Sequence, residues 1–409
     1  MPRYSVGPIS FVVTLVLGAG SGLAQSAPPQ EQEVSASGAQ LSPNERLQQA
    51  AMNGDLAAVR AAISEKAGID ELGGSRMTAL GIAALYGHAD VIRALVAAGA
   101  KVSADQDGDS ALAVAAREGH TAALEALLEA GADIEAKDAN GITPLMSAAS
   151  ANRAEAVRVL LAKGAESNAV NNDGATALIA AAYGGHLEAA DALLSGGADL
   201  SLRDRSGRTA LMAAALGGNA EVSQLLLDHH ADPNAEDRGG LNALVYAASA
   251  GHERVALLLQ EAGVRKGSDL ALAYAVRGCR IPLATRLLTG GASVDARLSG
   301  RPLLTLAAAA NCREGVDLVL SHQADVNAKD DEGSTALMRA AAAGFAEMVQ
   351  LLLDKGADME LTNNESQSAW LLAAGSNQLE VIEILRRHRN ERQGNPPPDG
   401  PDTPAADRK

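Results

Sequence analysis

The chain has 409 residues and a formal net charge of −16, and 2% of its residues are aromatic. This acidity argues against nucleic acid as a partner, because phosphate backbones are bound by clusters of Lys and Arg. Alanine and leucine supply most of the apolar residues, and both are strong helix formers. The composition therefore favours helices packed closely on one another.

Residues 1–24 have the three-part pattern of a secretory signal peptide. Arg3 supplies a positive charge, residues 11–17 form an apolar run, and Ala24 ends a small-residue cleavage site followed by Gln25. The run is too short to span a membrane as a helix. The pattern predicts export, to the periplasm of a Gram-negative host or further as a secreted protein, with no membrane insertion after signal removal. Residues 25–43 are polar and predict a disordered leader.

From residue 44 to residue 389 the sequence repeats about every 33 residues. The anchor positions are Leu47, Leu80, Leu112, Leu145, Leu178, Leu211, Leu244, Leu272, Leu304, Leu337 and Trp370. Glycine recurs four residues before the anchor, Asp or Asn seven before it, and glycine seven after it. Eleven repeats that share these positions predict an array and not a set of unrelated turns.

Each repeat is predicted to be a turn followed by two helices. In the fourth repeat Asp138 and Gly141 are turn residues, Thr143 caps the first helix, and Pro144 occupies its first position. A second helix follows over 154–163 and ends before a glycine. Such a helix pair cannot bury its apolar face alone, so neighbouring repeats must stack.

The stretch "DANGITPLMSAASANRAEAVRVLLAKGAESNA" (138–169) resembles the ankyrin repeat family, and so do its relatives along the chain. The resemblance implies an all-α solenoid of about eleven helix-turn-helix units with β-hairpin loops. The histidine of the family's T-P-L-H motif is absent, and Met146 stands at its position in the fourth repeat. We therefore expect these repeats to depend more on apolar packing.

Repeats 7 to 9 depart from the pattern. Leu244 and Leu272 are only 28 residues apart, residues 263–272 lack the Asp-x-x-Gly turn, and Arg297 stands where other repeats have Asp or Asn. The array is predicted to be irregular around 263–300. This irregularity is either a deletion without function or a specialised ligand surface.

Cys279 and Cys312 are the two cysteines of the chain, and both fall at inter-helix turns of adjacent repeats. Stacked helices lie about 8–10 Å apart, whereas a disulfide needs Cα atoms within about 7 Å. An oxidising compartment favours the bond. Two hypotheses follow: a disulfide that clamps the irregular repeats, or two free thiols.

The recurrent histidines His88, His120, His186 and His252 first suggest a metal cluster. They lie on separate repeats, however, with no Cys or second His at ligand spacing. The alternative is a structural role in capping and bridging the inter-helix turn, and we favour it. No catalytic or cofactor motif is recognised, so no cofactor is predicted.

The resemblance implies that a partner protein binds the hairpin tips and the first helices. The candidates on the tips are Arg76, Asp107, Asp109, Asn140, Ile142, Arg205, Arg208, Arg238 and Leu241. The candidates on the first helices are Leu85, Tyr86, Arg117, Glu118, Tyr183, Leu216 and Arg277. Tyr and Arg are favoured at binding hot spots.

The predicted function is therefore that of a monomeric, non-catalytic scaffold that binds another protein. A secreted effector that binds host proteins is one alternative, and an enzyme or metal protein with an unrecognised site is the other. The Pro-rich stretch 390–409 predicts a disordered tail.

Overall fold

A computed structural model describes residues 41–73, 76–103 and 110–393. The predicted signal peptide, most of the predicted leader, Asp107, Asp109 and most of the predicted tail lie outside these residues. The described chain is helical, as predicted for an all-α fold, and contains 22 α-helices that form eleven pairs. It divides into two compact units, an N-terminal unit up to Ala247 and a C-terminal unit from Ala248.

The helices of the first six repeats are α1 Pro43–Asn53, α2 Leu56–Ser64, α3 Ala79–Leu85, α4 Ala89–Ala97, α5 Ala111–Glu118, α6 Thr121–Glu129, α7 Pro144–Ser150, α8 Ala154–Ala162, α9 Ala177–Gly184, α10 Leu187–Ser195, α11 Ala210–Gly217 and α12 Ala220–Asp228. Those of the last five are α13 Ala243–Ala250, α14 Glu253–Glu261, α15 Ser268–Arg277, α16 Ile281–Thr289, α17 Leu303–Ala309, α18 Arg313–Ser321, α19 Ala336–Ala343, α20 Ala346–Asp354, α21 Ala369–Gly375 and α22 Leu379–Arg392. The first helix of each pair is called the inner helix here, and the second the outer helix.

The inner helices begin where the sequence places a hydroxyl side chain. Eight of them follow a Ser or Thr whose oxygen accepts a hydrogen bond from the backbone N–H three residues on: Ser42, Thr78, Ser110, Thr143, Thr176, Thr209, Thr335 and Ser368. Such a cap satisfies one of the N–H groups that a helix terminus leaves without a partner. The predicted capping of the inner helices is therefore confirmed.

The core lies between two layers of helices in each unit. In the N-terminal unit α5, α7, α9 and α11 pack in succession, and α4, α6, α8, α10 and α12 form the outer layer. In the C-terminal unit α15, α17, α19 and α21 form the inner layer. Small alanines fill most inner-helix positions and let the helices approach closely. Met146, Met212 and Met338, which replace the family's histidine, are buried.

Most hairpin tips are five-residue loops closed by one backbone bond, such as the 3.1 Å bond from Asp138 N to Ile142 O. Within the described residues, paired strands occur at one tip, where β1 (Arg297–Leu298) pairs antiparallel with β2 (Arg301–Pro302). Arg297 has no side-chain acceptor to organise an Asx turn there. A strand pair forms instead, and Ser299 and Gly300 make the turn with φ of 50° and 75°.

The irregular stretch lacks a tip before its inner helix. Helix α15 begins at Ser268, directly after Gly267, which has a left-handed φ of 74°. It has ten residues, whereas most inner helices have seven or eight. The missing tip removes one point at which this repeat could contact a partner.

The ends of the array differ by a few residues from those predicted. Helix α1 begins at Pro43, inside the stretch predicted as leader, because Ser42 and Glu45 form a reciprocal capping box. Helix α22 continues to Arg392, inside the stretch predicted as tail, and Arg389 stands where most other outer helices are followed by a glycine with a positive φ.

Candidate functional site

Backbone hydrogen bonds join successive hairpin tips of the N-terminal unit. Asn172 N donates to Asn140 O at 2.9 Å, Arg205 N to Asp173 O at 2.8 Å, and Arg238 N to Ser206 O at 3.0 Å. We call this row of tips, residues 139–142, 172–175, 205–208 and 238–241, the tip rail. The bonds fix each tip relative to the next, so the outward side chains project from a rigid edge.

Each tip is also fixed from within by an Asx turn. Asp138 Oδ1 accepts from Asn140 N at 2.8 Å and from Ile142 N at 2.7 Å, and the same two bonds recur at Asn171, Asp204, Asp237, Asp330 and Asn363. Gly141 has a φ of 79°, and a Cβ there would lie 2.9 Å from Asn172 N. Glycine at this position therefore serves both the turn and the close approach of the next tip.

The predicted surface residues in the described chain all lie outside the core. Exposed ones are Arg76, Tyr86, Arg117, Asn140, Arg205, Arg238 and Arg277, and half-buried ones are Leu85, Glu118, Ile142, Tyr183, Arg208, Leu216 and Leu241. The structure brings the tip residues from Asn140 to Leu241 together along the tip rail, and places Tyr183 and Leu216 on adjacent, packed inner helices. Arg277 lies in the C-terminal unit and is not part of the tip rail.

Several of these side chains already have intramolecular partners. Arg208 Nη2 lies 2.7 Å from Asp204 Oδ2, whose side chain is 6% exposed, so Arg208 neutralises a buried carboxylate. The Tyr86 ring stacks on His88 with centroids 6.4 Å apart. The Arg277 guanidinium lies 4.9 Å from the ring centroid of Tyr274. Arg205 and Arg238, in contrast, are exposed at the rail itself.

Two residues that lie behind the tips and bind their Asx side chains were not identified from the sequence. Tyr246 Oη donates to Asp237 Oδ2 at 2.6 Å, and Arg339 donates to Asp330 Oδ2 from Nη2 at 2.5 Å and from Nε at 3.0 Å. Both occupy the position two residues after the anchor leucine, which is small in the fourth to sixth repeats (Ser147, Ala180 and Ala213) and a larger apolar residue, such as Ile82 or Leu372, in several others. A hydrogen-bonding side chain nine residues after the Asx residue of the turn is the signal that could have revealed them.

The environment of Tyr246 disfavours its ionised form. Burial raises the pKa of the Tyr246 hydroxyl well above its ordinary value, and the hydrogen bond to Asp237 and the charge of that carboxylate raise the pKa further. The hydroxyl therefore remains a donor at neutral pH and holds the second carboxylate oxygen of the Asx turn.

The recurrent histidines bridge neighbouring repeats. The Nε2 atoms of His88, His120 and His186 lie 2.9, 3.0 and 2.9 Å from the carbonyl oxygens of Met52, Leu85 and Ser150, each in the preceding repeat. Their side chains make no capping bond to their own outer helices. The predicted bridging role therefore fits the geometry at these three residues, whereas side-chain capping was wrong.

Cys279 and Cys312 form a disulfide, with Cα atoms 5.7 Å apart. The two inter-helix turns approach more closely than the helices, which makes the bond geometrically feasible. Among the described residues, one group could bring three metal-ligand atoms together, and it consists of these two cysteines and Glu314. The disulfide engages both sulfurs, which are then not thiolate ligands.

In the C-terminal unit, the tips of the tenth and eleventh repeats border a hollow of about 350 Å³. Asp331, Glu332 and Glu365 give its rim an acidic character, and Arg339 and Met338 lie deeper. Asn364 N donates to Glu332 O at 3.0 Å, so these two tips are joined in the same way as those of the tip rail. These two tips are therefore acidic, whereas Arg205 and Arg238 are exposed on the tip rail.

Paired helices stacked in two layers, with projecting turns joined edge to edge, define a helical repeat protein. A family profile described as ankyrin repeats (3 copies) matches residues 47–138, 130–204, 196–269 and 304–395. The chain belongs to the ankyrin repeat family, whose repeats generally mediate protein–protein interaction. Residues 270–303 fall between the matches, and they include the strand-paired tip.

A search of curated proteins gave no significant match. None of the helices in the described part of the chain combines the length and apolar character that a membrane span requires.

Proposed function

We propose that this chain is an exported, non-catalytic protein that binds a protein partner through its hairpin tips and inner helices. The observation that carries the proposal is the tip rail. Its three inter-tip backbone bonds and its Asx turns hold outward side chains in place before any partner arrives. Ordering of loops is one of the free-energy costs of association, and a rail fixed in advance avoids much of it.

Charge at the rail indicates the kind of surface that would bind. Arg205 and Arg238 lie on adjacent tips and are both exposed, whereas Arg208 between them is engaged by Asp204. Complementary charge speeds encounter and discriminates between partners. We propose that an acidic patch of the partner faces these two arginines, with Tyr183 on the neighbouring inner helix as an apolar anchor.

Two features support export. The first is the signal-peptide pattern of residues 1–24. The second is the Cys279–Cys312 disulfide, because disulfides persist in oxidising compartments such as the periplasm. Fractionation of the native host, with N-terminal sequencing of the mature chain, tests this part: we expect an N-terminus at Gln25, and retention of Met1 in the cytoplasm would contradict it.

The binding surface is tested by chemical crosslinking and affinity capture from envelope fractions. The double variant Arg205→Glu with Arg238→Glu should reduce capture of a specific partner about tenfold, which corresponds to about 1.4 kcal/mol. Tyr183→Ala should act in the same direction. Arg158→Glu is the matched control, because Arg158 is an exposed arginine on outer helix α8.

Arg208→Ala is unsuitable for this purpose. It would leave the Asp204 carboxylate buried without its ion-pair partner, and such a change destabilises the fold itself. If the rail variants retain their helical circular dichroism and still capture the partner as well as Arg158→Glu does, then the tip rail is not the binding surface.

A further inference from the structure

The C-terminal end of the array exposes apolar side chains that are buried in other repeats. Trp370 is 39% exposed and Leu371 is 49% exposed. Their counterparts in the preceding repeat, Leu337 and Met338, are each 1% exposed. The difference arises because α21 packs against α19 and covers these counterparts.

Outer helix α22 extends the same apolar surface. Leu379, at its start, is 71% exposed, and Ile382 is half-buried. Arg386 is exposed where Leu353, 33 residues earlier, is buried. We call Trp370, Leu371, Leu379, Ile382 and Arg386 the end face. Terminal repeats of a stacked array need a polar outer surface for solubility. We therefore expect another segment or molecule to cover this apolar face.

We propose that residues 394–409 of the same chain fold back and cover the end face. The first reason is position. Helices α21 and α22 form an antiparallel pair, so the C-terminal half of α22 lies beside the start of α21, where Trp370 is. Helix α22 has 14 residues and is therefore about 20 Å long. The 16 residues that follow Gln393 reach about 50 Å when extended, enough to run back along all of it.

The second reason is side-chain chemistry. The segment "GNPPPDGPDTPAADRK" contains five prolines, at positions 396, 397, 398, 401 and 404. Proline-rich segments dock on surfaces lined by aromatic side chains, because their preformed conformation loses little entropy on binding. Trp370 is the only tryptophan of the chain, and it lies on the face that this segment can reach.

The third reason is charge. Arg386 and Arg392 are exposed on the C-terminal part of α22, and the segment carries Asp399, Asp402 and Asp407, with no basic residue before position 408. A short tether also places the segment at an effective concentration of about 1 mM near the face. A weak contact is therefore sufficient to keep it docked.

Fluorescence of Trp370 in the full-length protein tests the proposal directly, since no other tryptophan contributes. We compare acrylamide quenching in the wild type with a variant in which all five tail prolines are replaced by serine, which preserves length and charge. We expect the quenching constant to rise about twofold and the emission to shift to longer wavelength, because the indole returns to water. Pro28→Ser with Pro29→Ser is the control and should leave both unchanged.

A second variant changes the other side of the same contact. Arg386→Glu should raise the quenching constant as the serine variant does, and added salt should raise it in the wild type by screening the same charges. Arg60→Glu, on outer helix α2, is its control. All variants must retain the far-UV circular dichroism of the wild type.

Two results would overturn the proposal. Equal quenching constants in the wild type and in the serine variant would show that the tail does not cover Trp370. If Trp370 remains shielded from acrylamide in the serine variant and this shielding disappears on dilution, then a second copy of the chain covers the end face. The measurement involves no partner of the tip rail, so its outcome is independent of the function proposed above.

Discussion

Arg339→Met isolates the contribution of the charge behind the tip of the tenth repeat. Asp330 is held by two backbone donors on Oδ1, Glu332 N at 3.0 Å and Ser334 N at 2.8 Å. Its Oδ2 is bound by Arg339, and the Asp330 side chain is 2% exposed. Methionine has a similar length and an apolar character, so the substitution removes the charge and leaves most of the packing.

The expected loss of unfolding free energy follows from the contacts that Asp330 keeps after the substitution. Removing one partner of a buried ion pair typically costs about 3–5 kcal/mol. Arg339 is itself 25% exposed and its second contact, Glu332, is 67% exposed, so water can partly replace it. We therefore expect the lower end, about 3 kcal/mol, and little contribution from Glu332.

The array contains a neutral version of the same arrangement. In the fifth repeat Asn171 makes the Asx turn, accepting from Asp173 N and Ala175 N at 2.9 Å each, and Ala180 occupies the position equivalent to Arg339. An amide thus supports the turn without a charged partner. In the background Asp330→Asn, Arg339→Met should cost about 1 kcal/mol or less, the usual scale of a neutral hydrogen bond.

Urea unfolding of the four proteins completes a double-mutant cycle. Trp370 fluorescence reports on the repeat that follows, and circular dichroism reports on the whole chain. With an m-value of about 3 kcal/mol/M, the single variant should lower the Trp370 midpoint by about 1 M. Equal losses from Arg339→Met in the Asp330 and Asp330→Asn backgrounds would refute the argument that a buried carboxylate creates the need for the arginine.

Three further predictions concern other parts of the array. Tyr246→Phe should cost about 1.5–3 kcal/mol at neutral pH, because it removes a hydrogen bond to a carboxylate. This cost should shrink as the pH rises above about 10, where the unfolded tyrosine ionises before the folded one, whose pKa is raised; urea melts at several pH values measure it. Cys279→Ser with Cys312→Ser should lower stability by about 3–4 kcal/mol for a loop of 33 residues, measured by thermal melts in the absence of reductant. Gly141→Ala should lower the melting temperature more than Gly164→Ala, since both glycines have positive φ but only the first would bring its Cβ against the next tip.

Each of these has a contradicting outcome. A pH-independent cost for Tyr246→Phe would show that the ionisation of this hydroxyl is not linked to folding. If reductant lowers the melting temperature of the Cys279→Ser, Cys312→Ser variant as much as that of the wild type, then the effect of the reductant does not come from the disulfide. Equal melting temperatures for the two glycine variants would mean that only backbone strain, and not the contact between tips, decides the cost.

Local chemistry explains why the repeats and their helices could be predicted. A hydroxyl at the helix start, an Asx residue with a glycine three positions on, and an alanine-rich run act within one repeat, and each repeats every 33 residues. The turn at Asp138 and the cap at Thr143 needed no knowledge of neighbouring repeats. The β-hairpin loops that the resemblance implies are paired strands at one described tip, that of Arg297, and this restriction was not predictable because pairing there depends on the loss of the Asx acceptor and on how the freed backbone then pairs.

The candidate surface was predictable only in part. Its positions follow from the repeat, and Arg205 and Arg238 lie exposed on the tips where the pattern placed them. Sequence spacing could not show that Arg208 is bound to Asp204. Whether the Arg208 side chain pairs with Asp204 or faces solvent depends on how deeply the Asp204 carboxylate is buried. The same holds for Tyr246, which reaches a tip nine residues earlier in the chain.

The sequence by itself determined the family, the all-α repeat, the caps and turns, and the positions that face outward, since all of these depend on short-range patterns that recur. Only the tertiary structure decided which of the outward side chains are engaged by their own chain, how the tips are bonded into a rail, and that Cys279 and Cys312 lie close enough to bond. It also decided that no helix pair of the described chain packs over Trp370. These properties depend on distances between repeats, and stacking sets those distances.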